Sequence, residues 1–447
     1  MGTTAPGNNR NKGGRQAAVK RPSWGLVAAG AVAVVAIALV AFILVLGKRP
    51  STEPSSPATT TQAGTVATSE PSATTATSSN PSLPFSVSGV DASAEVTEVG
   101  SAPAATLSGE WTFGGDYAEI GSAPVDAQTV FGSASGTPDD VSSYAAALIK
   151  SDGTWTPLET PEKPTGMSFY EPQDGTTHVS GIVWRGSVSN NLPQAGTDNW
   201  VVRSWDRATG QARTLATAEA LNGTKETPTA PGDVVPTAND ANAYFASATK
   251  DASGSWKLSV IALPLDGSGA RVLADGNYPA AVEDGVLYAA NPVNDGAREA
   301  PRYARVARSA DSGNSEVLSV SSDGNWGITG LWAAGDKRVV CVSSGDASQG
   351  SYLGVWSEDF AKSVAWLRVP TAAVTASVNG SWFVWGAGSQ DANSDMYAYR
   401  FSDGKLVTLG EAPGYSRPAI AADNDTVIVP VVHDATSPVS FRVGGLA

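Results

Sequence analysis

The chain has 447 residues, of which 43 are acidic and 29 are basic, so its formal net charge is −14. Seven of the basic residues precede residue 50, which leaves 22 basic and 43 acidic residues in the remainder. A body this acidic repels nucleic acid and anionic lipid headgroups, so nucleic-acid binding is excluded as a function.

The first predicted element is a transmembrane helix over residues 25–47, because Leu26 to Leu46 form an apolar run without a charged residue. At 1.5 Å per residue this run is about 30 Å long, enough to cross a bilayer core. Residues 1–24 contain five basic and no acidic residues, against two basic residues directly after the run, so the N-terminus is predicted to be cytoplasmic. A cleaved signal peptide is the alternative, but its apolar region is shorter and ends at small residues. The chain is thus predicted to be a single-pass protein of the cell membrane with an extracytoplasmic C-terminal domain.

Residues 48–84 are predicted to form a disordered linker, since from Pro50 onward they are almost entirely Ser, Thr, Pro and Ala. Such a segment buries too few large apolar side chains to offset the entropy lost on ordering. Its proline content stiffens it into a spacer that holds the following domain away from the membrane. The basic tail, residues 1–24, is expected to be disordered as well.

Cys341 is the one cysteine of the chain, so no internal disulfide can form in an oxidising compartment. It lies in the strand-like run Arg338-Val-Val-Cys-Val-Ser, which predicts a buried thiol. The fold must therefore be stabilised by its hydrophobic core.

Residues 85–447 show short alternating apolar runs bounded by Gly, Asp, Asn and Ser, which is the pattern of β-strands. Two hairpin motifs recur along this region. The first has small apolar residues before a tight turn and β-formers after it. Its clear copies are Ala281–Tyr288, Ala333–Val340, Ser377–Val384 and Ala421–Val429, and Thr237–Phe245 is a degraded copy. The second joins two strands through a turn, and its turn glycines are Gly153, Gly210, Gly267, Gly313 and Gly404.

Two hairpins every 45–57 residues is the spacing of a four-stranded propeller blade. The predicted fold is all-β, a β-propeller of seven four-stranded blades within residues 85–447. The approximate blade bounds are 101–163, 164–215, 216–275, 276–321, 322–370, 371–412 and 413–447. The last blade is too short for four strands, so we expect Phe85–Val90 or Ala94–Val99 to supply its outer strand and close the ring.

The blade motifs, for example Phe401-Ser-Asp-Gly-Lys-Leu, resemble those of seven-bladed propellers of the TolB-like and WD-repeat type. The resemblance covers most of residues 100–447 and extends to an actinobacterial-style arrangement with a single-pass anchor. No blade carries a Gly-His to Trp-Asp pair at the WD spacing. The run Trp205-Asp-Arg-Ala-Thr-Gly-Gln resembles a quinoprotein repeat but occurs once, so no quinone cofactor is implied. The resemblance implies a fold, and a fold alone does not determine a function.

The two faces of the predicted propeller differ in their connections. Turns between first and second or third and fourth strands lie on one face and are short, whereas the second-to-third loops and blade links lie on the other and are long and polar. Long loops on a rigid scaffold favour binding, so the long-loop face is the predicted functional face. Its candidate residues are Asp198, Asp295, Asp346, Asp391, Asp395, Asp434, Trp326 and Trp332. The two tryptophans are the candidates for stacking on a ligand. The carboxylates could hold calcium or a cationic group, but no loop has an EF-hand ligand series, so no cofactor is predicted.

The sequence contains few residues suited to catalysis. Its two histidines are His178 and His433, and it has no Ser-His-Asp grouping, no metal-spaced His or Cys set and no phosphate-binding glycine loop. The predicted function is therefore a binding or scaffold module for an extracytoplasmic protein or glycan. The alternative is an extracellular carbohydrate-active enzyme, a glycosidase or lyase, that uses two loop carboxylates.

Overall fold

A computed structural model describes the greater part of the predicted extracytoplasmic domain. The described residues are 83–107, 109–113, 118–134, 145–159, 169–189, 199–225, 227–228, 230, 235–293, 301–310, 313–322, 325–372, 374–388, 393–413, 417–420, 425–431 and 439–446. Among them no helix is both long and apolar enough to cross a bilayer. The predicted tail, transmembrane helix and linker up to residue 82 lie outside the described residues.

The first half of the described chain forms an N-terminal segment and three four-stranded antiparallel sheets. The N-terminal segment contains β1 (Ser86–Ser88), β2 (Val96–Glu98), a 3-10 turn (Val99–Ser101) and β3 (Gly109–Phe113). The first sheet contains β4 (Ala118–Asp126), β5 (Thr129–Ala134), β6 (Ala145–Lys150) and β7 (Trp155–Pro157). The second contains β8 (Phe169–His178), β9 (Gly181–Ser189), β10 (Asn199–Asp206) and β11 (Gln211–Thr217), and a short helix, α1 (Ala218–Asn222), follows it. The third contains β12 (Thr237–Ala238), β13 (Asn242–Lys250), β14 (Trp256–Pro264) and β15 (Arg271–Asp275).

The second half continues the same four-strand order. Two meanders contain β16 (Asn277–Val282), β17 (Gly285–Val293), β18 (Arg302–Ala310), β19 (Gly313–Ser321), β20 (Trp326–Ala334), β21 (Lys337–Ser344), β22 (Ser351–Ser357) and β23 (Ser363–Val369). A single residue pair, Tyr303 with Ile328, joins them into a ten-stranded sheet that also includes β1 and β2. The remaining strands are β24 (Val374–Val378), β25 (Trp382–Ala387), β26 (Ser394–Arg400), β27 (Leu406–Ala412), β28 (Ala419–Ile420), β29 (Thr426–Pro430) and β30 (Val439–Gly445).

The meanders are arranged in a closed ring. Their first strands contact one another in the cyclic order β4, β8, β12, β16, β20, β24 and β28, and β28 again contacts β4. A ring of meandering sheets around an axis is a β-propeller, so the predicted all-β propeller fold is confirmed. Because each first strand pairs with the second strand of its own sheet, its other edge faces the axis of the ring.

The ring is closed by β3, which pairs antiparallel with β30 and completes the sheet that contains β28 and β29. Trp111 of β3 lies opposite Phe441 and is buried against Val130 and Ile149 of the β4–β7 sheet. The two segments predicted to close the ring were therefore the wrong ones, and the predicted first blade, 101–163, included the strand that belongs to the last sheet. A large apolar side chain that fits between the two terminal sheets distinguishes β3 from the rejected segments.

The rejected segments instead form a strap around the outside of the ring. Strand β1 pairs antiparallel with the outer strand β19, and β2 pairs parallel with the outer strand β23. Farther on, Ala104 forms a parallel bridge to Thr408 of β27. Phe85 anchors the strap, because its ring packs against Trp326, Tyr352 and Trp366 at centroid distances of 5.4, 5.6 and 5.7 Å. The strap covers three outer strands whose exposed edges would otherwise be available to other chains.

The hydrophobic core lies between neighbouring sheets. In β25, Trp382 and Val384 pack toward the β28–β30 sheet, whereas Phe383 and Trp385 pack toward the β20–β23 meander. This alternation confirms the prediction that the strand is buried on both faces. Cys341 is also buried, as predicted, and burial raises the pKa of its thiol.

The strand bounds agree in part with the predicted difference between the two faces, since the blade link from β15 to β16 is a single residue, Gly276. Only two residues separate β16 from β17 or β20 from β21, whereas residues 190–198 separate β9 from β10. Gly153 and Gly404 lie in short third-to-fourth strand turns with φ values of 82° and 73°. This left-handed region is one that glycine enters without a Cβ clash. We call the side of the ring that carries these short turns the tight-turn face.

Candidate functional site

A cavity of about 600 Å³ lies on the axis of the ring. Residues of all the first strands or their adjoining turns line it, from Ala123 of β4 to Ile420 of β28. The lining includes the exposed turn residues Asp240, Glu283 and Gly380, so the cavity reaches solvent at the tight-turn face. The cavity is thus lined by residues that are far apart along the chain and that the propeller ring brings together.

Small side chains and strand edges form most of the cavity wall. The small apolar lining residues include Ala123, Gly175, Ala238, Ala280, Gly330 and Ala376, and the hydroxyl residues are Thr176, Thr177, Thr237 and Ser377. Thr237 Oγ1 accepts a hydrogen bond from the Ala281 backbone N–H at 3.2 Å, which shows that these hydroxyls can pair with the inward edge of a neighbouring first strand. The wall therefore offers main-chain and hydroxyl groups suited to hydrogen bonding with a polar ligand.

Charged groups lie at the mouth of the cavity. Asp240 and Glu283 are exposed there, and Glu358 lies 3.5 Å from the guanidinium of Arg338. The Arg338 side chain is only 3% exposed, whereas that of Glu358 is 53% exposed. Arg417 also lines the cavity, so the three carboxylates at the mouth face two arginines, Arg338 and Arg417. This small excess of negative charge favours a ligand with positive charge near the rim.

Two asparagines tie the turns at the cavity mouth to each other. Asn239 Oδ1 accepts from the Asn242 backbone N–H at 2.9 Å, while its Nδ2 donates to the Val282 carbonyl of the next meander at 2.8 Å. Asn379 acts in the same way: its Oδ1 accepts from the Trp382 N–H at 2.7 Å and its Nδ2 donates to Asp425 Oδ1 at 3.0 Å. One amide thus stabilises its own turn and the neighbouring one.

Replacing Asn379 with alanine is expected to lower the free energy of unfolding by about 1–3 kcal/mol, because buried turn N–H groups lose their acceptor. Urea denaturation of the full-length protein in detergent, followed by circular dichroism, measures this change. Asn314→Ala is the matched control, since Asn314 is exposed on β19. An equal effect of both substitutions would contradict the assigned role of Asn379.

The structure separates the predicted site residues. Asp198, Asp295, Asp391 and Asp434 lie outside the described residues, as does His433. Asp346 caps a 3-10 turn (Ala347–Gln349), because its Oδ1 accepts from the Ser348 backbone N–H at 2.9 Å. Asp395 is exposed on β26 near the start of that strand, and Trp326, the first residue of β20, is only 5% exposed. None of these three lines the cavity, so their role on the long-loop face stays a prediction.

Trp332 is the one predicted site residue among the described ones that lines the cavity. Its ring packs against Phe383 at a centroid distance of 5.3 Å and covers Gly330, where a Cβ would come within 2.3 Å of it. The indole ring of Trp332 is thus held in place by the neighbouring sheet and by Gly330, which has no room for a side chain. A substitution at Gly330 would displace it.

Tyr278 is a second aromatic residue of the cavity wall, and it is not among the residues predicted from the sequence. Its φ is 50°, a left-handed value that is strained for a bulky residue, and a register shift between Asn277 and Ala280 accompanies it. The hydroxyl donates to the Pro301 carbonyl at 3.2 Å, and the ring meets Tyr303 edge-on. Strained, bulged positions of this kind often occur at binding sites, but nothing in the run Asn277-Tyr-Pro signals the strain.

The described residues contain no group of three or more His, Cys, Asp or Glu side chains that could hold a metal ion. They also provide no nucleophile beside a base at the cavity: Cys341 is buried away from it, and His178 is the one histidine described. The hydroxyl and charged groups that do line the cavity are sufficient for binding a polar ligand.

No protein-family model matches the chain, and no curated protein matches it. Among solved structures, TolB from Acinetobacter baumannii is 9% identical over 65% of this chain and 65% of its own, with a TM-score of 0.38. Oligogalacturonate lyase from Vibrio parahaemolyticus is 11% identical over 74% of this chain and 90% of its own, with a TM-score of 0.46. Puromycin hydrolase is 13% identical over 72% of this chain and 51% of its own, with a TM-score of 0.42. The chain thus spans just under two thirds of the TolB chain and about half of the hydrolase, and its own closed ring of sheets is what identifies the fold.

Proposed function

We propose that the protein is a membrane-anchored, extracytoplasmic β-propeller that binds a protein or glycan partner in the axial cavity, through the tight-turn face. The observation that carries this proposal is the cavity itself, a solvent-connected space of about 600 Å³ whose wall combines strand edges, hydroxyl groups and rim carboxylates. A rigid ring presents such a site without needing to reorganise, which favours affinity. The alternative binding site is the long-loop face, with its candidate acidic residues.

The number of blades is part of this proposal. Each meander in the ring is taken as one blade, with β16–β19 and β20–β23 counted separately because a single residue pair joins them. Counted in this way, the propeller has seven blades, and β3 with β28–β30 forms the last. The membrane anchor over residues 25–47 and the extracytoplasmic location rest on the sequence pattern alone.

Blocking the cavity is expected to abolish partner binding. Ser377→Trp places a large ring in the lining of the cavity, whereas Ser402→Trp places the same ring on the exposed third-to-fourth strand turn of the same sheet. We expect the first variant to weaken binding by about tenfold or more and the second to leave it unchanged, because only the first removes space from the site. Both folds are checked by circular dichroism.

The assay begins with crosslinking in intact cells and affinity capture of the tagged full-length protein, and the affinity of the purified partner is then measured for each variant. A third variant, with Asp346→Asn and Asp395→Asn, tests the long-loop face. Loss of binding in this variant, with normal binding by Ser377→Trp, would overturn the cavity as the site. If no protein is captured, glycan arrays probed with the full-length protein test the other partner class, and a polysaccharide that is cleaved would favour the carbohydrate-active enzyme.

A further inference from the structure

One histidine occupies the position that asparagine occupies in two other turns at the cavity mouth. His178 ends β8, as Asn239 and Asn379 each follow a first strand. His178 Nδ1 accepts a hydrogen bond from the Ser180 backbone N–H at 3.4 Å, and Asn379 Oδ1 accepts one from the Ser381 N–H at 2.9 Å. In both cases the side chain of one residue accepts a hydrogen bond from the backbone N–H two positions later, and this bond stabilises the turn.

The second ring nitrogen of His178 corresponds to the amide nitrogen of the asparagines. An imidazole whose Nδ1 accepts a hydrogen bond carries its proton on Nε2 when neutral. That Nε2 is shielded from solvent, and the described residues supply no acceptor for it. The asparagine Nδ2 atoms, in contrast, donate to the turn of the next meander. Among the described residues, the second meander thus lacks a hydrogen bond to the third meander like those that Asn239 and Asn379 donate to their next meanders.

The charged groups that act on the His178 ring, among the described residues, come from two elements. Asp240 lies in the turn after β12, on the neighbouring meander, and Asp206 and Arg207 lie at the end of β10 in its own sheet. Burial lowers the pKa of His178 from its usual value, and Arg207 acts in the same direction, while the two carboxylates oppose them. The neutral ring is therefore favoured at neutral pH, and protonation occurs below pH 6.5.

We propose that His178 is a pH-sensitive latch for the cavity mouth, which holds the β8–β9 turn in place when neutral and releases it when protonated. Protonation of Nδ1 removes the acceptor of the Ser180 N–H, and it turns the ring into a cation that Asp240 attracts and Arg207 repels. Thr176 and Thr177, which line the cavity, directly precede His178, so release of the turn alters the cavity wall. Because the latch regulates the axial cavity, this inference rests on the proposed function.

The turn is expected to be less stable at acidic pH than at neutral pH. Because the folded state lowers the pKa of His178, the unfolded state binds the proton more readily as the pH falls below 6.5. The contribution of the neutral ring to stability is therefore fully present above pH 6.5 and is lost as the pH falls through the lowered pKa of the folded state. Asn239 and Asn379 do not titrate, so their turns keep their hydrogen bonds over this range.

Hydrogen exchange on the full-length protein in detergent, read for the peptide that contains Ser180 and corrected for intrinsic exchange, tests the latch. In the wild type we expect protection of this amide to fall about tenfold between pH 7.5 and pH 5. In His178→Asn, which copies the residue of the other two turns, protection is expected to be the same at both pH values. His433→Gln is the control that removes the other histidine and keeps the pH response. Unchanged protection in the wild type, or an equal fall in His178→Asn, would overturn the latch.

A second measurement does not depend on the folding of a variant at position 178. The chain has two histidines, so nitrogen NMR of the His433→Gln protein reports on His178 alone. We expect the tautomer with the proton on Nε2 and a pKa below 6.5, and a proton on Nδ1 or a pKa at or above that value would contradict the proposal. Both tests work without a partner, so failure of the latch is distinguishable from failure of the binding site. Once a partner is identified, its affinity is expected to fall at pH 5 in the wild type and to stay constant in His178→Asn.

Discussion

Replacing Trp111 with alanine is expected to lower the free energy of unfolding by about 3–5 kcal/mol, because it empties a large buried volume at the closure of the ring. Trp111 is 7% exposed and packs between β30 and the β4–β7 sheet, against Phe441, Val130 and Ile149. The strand that carries it has only five residues and is bound to the last sheet by β30 alone. A weakened β3 would therefore loosen the packing between the first and last sheets, which would then rest on the contacts of β28 and β29 with β4.

Urea denaturation of the full-length protein, followed by circular dichroism, measures the effect without relying on tryptophan fluorescence. Glu110→Ala is the matched control, since Glu110 is the exposed neighbour on the same strand and its loss is expected to change stability by less than about 0.5 kcal/mol. A loss of less than about 1 kcal/mol for Trp111→Ala would mean that β3 does not close the ring.

Glu159→Ala is expected to destabilise the protein by about 3–5 kcal/mol, because it leaves the Arg203 guanidinium buried without its carboxylate. Glu159 Oε2 lies 2.7 Å from Arg203 Nη1, and the two side chains are 1% and 12% exposed. Glu159 Oε1 accepts from the Tyr170 hydroxyl at 2.8 Å, and that hydroxyl accepts from Trp184 Nε1 at 3.1 Å. Burial, together with the Glu159 charge, keeps the pKa of Tyr170 above its usual value, so the hydroxyl remains a donor.

These four residues join the β4–β7 sheet to the β8–β11 sheet, since Glu159 also accepts from the Ala146 N–H at 3.2 Å. The control is Glu316→Ala, which breaks an exposed pair with Arg305 (2.8 Å; side chains 48% and 45% exposed) and is expected to cost less than about 1 kcal/mol. A double-mutant cycle with Arg203→Ala measures the coupling. A coupling energy near zero would contradict the buried-pair argument, whatever the cost of the single substitutions.

The periodic features of the chain could be predicted from its sequence. Alternating apolar runs, turn glycines such as Gly153 and Gly404, and repeats every 45–57 residues depend on neighbouring residues, and they correctly indicated strands, hairpins and a propeller. The burial of β25 on both faces followed in the same way, from alternation within a single strand. Local physical chemistry determines such features, so a single sequence displays them.

The pairing of the N-terminal segment could not be predicted in this way. Three short segments, β1, β2 and β3, were all suitable as strands, and which one closes the ring depends on what each side chain meets. Phe85 fits an aromatic cluster formed by Trp326, Tyr352 and Trp366, and Trp111 fits the gap between the first and last sheets. The cavity could not be predicted either, because much of its wall consists of alanine, glycine, serine and threonine residues scattered between positions 123 and 380.

The sequence by itself thus determined the apolar run from Leu26 to Leu46, the acidic charge, the strand pattern and the propeller class, because each follows from composition or from contacts between near neighbours. Only the tertiary structure decided which strand closes the ring, where the strap lies, and that an axial cavity opens at the tight-turn face. It also brought His178 within electrostatic range of Asp240 and Arg207. These features arise from contacts between residues tens to hundreds of positions apart, and a single chain carries no local signal of them.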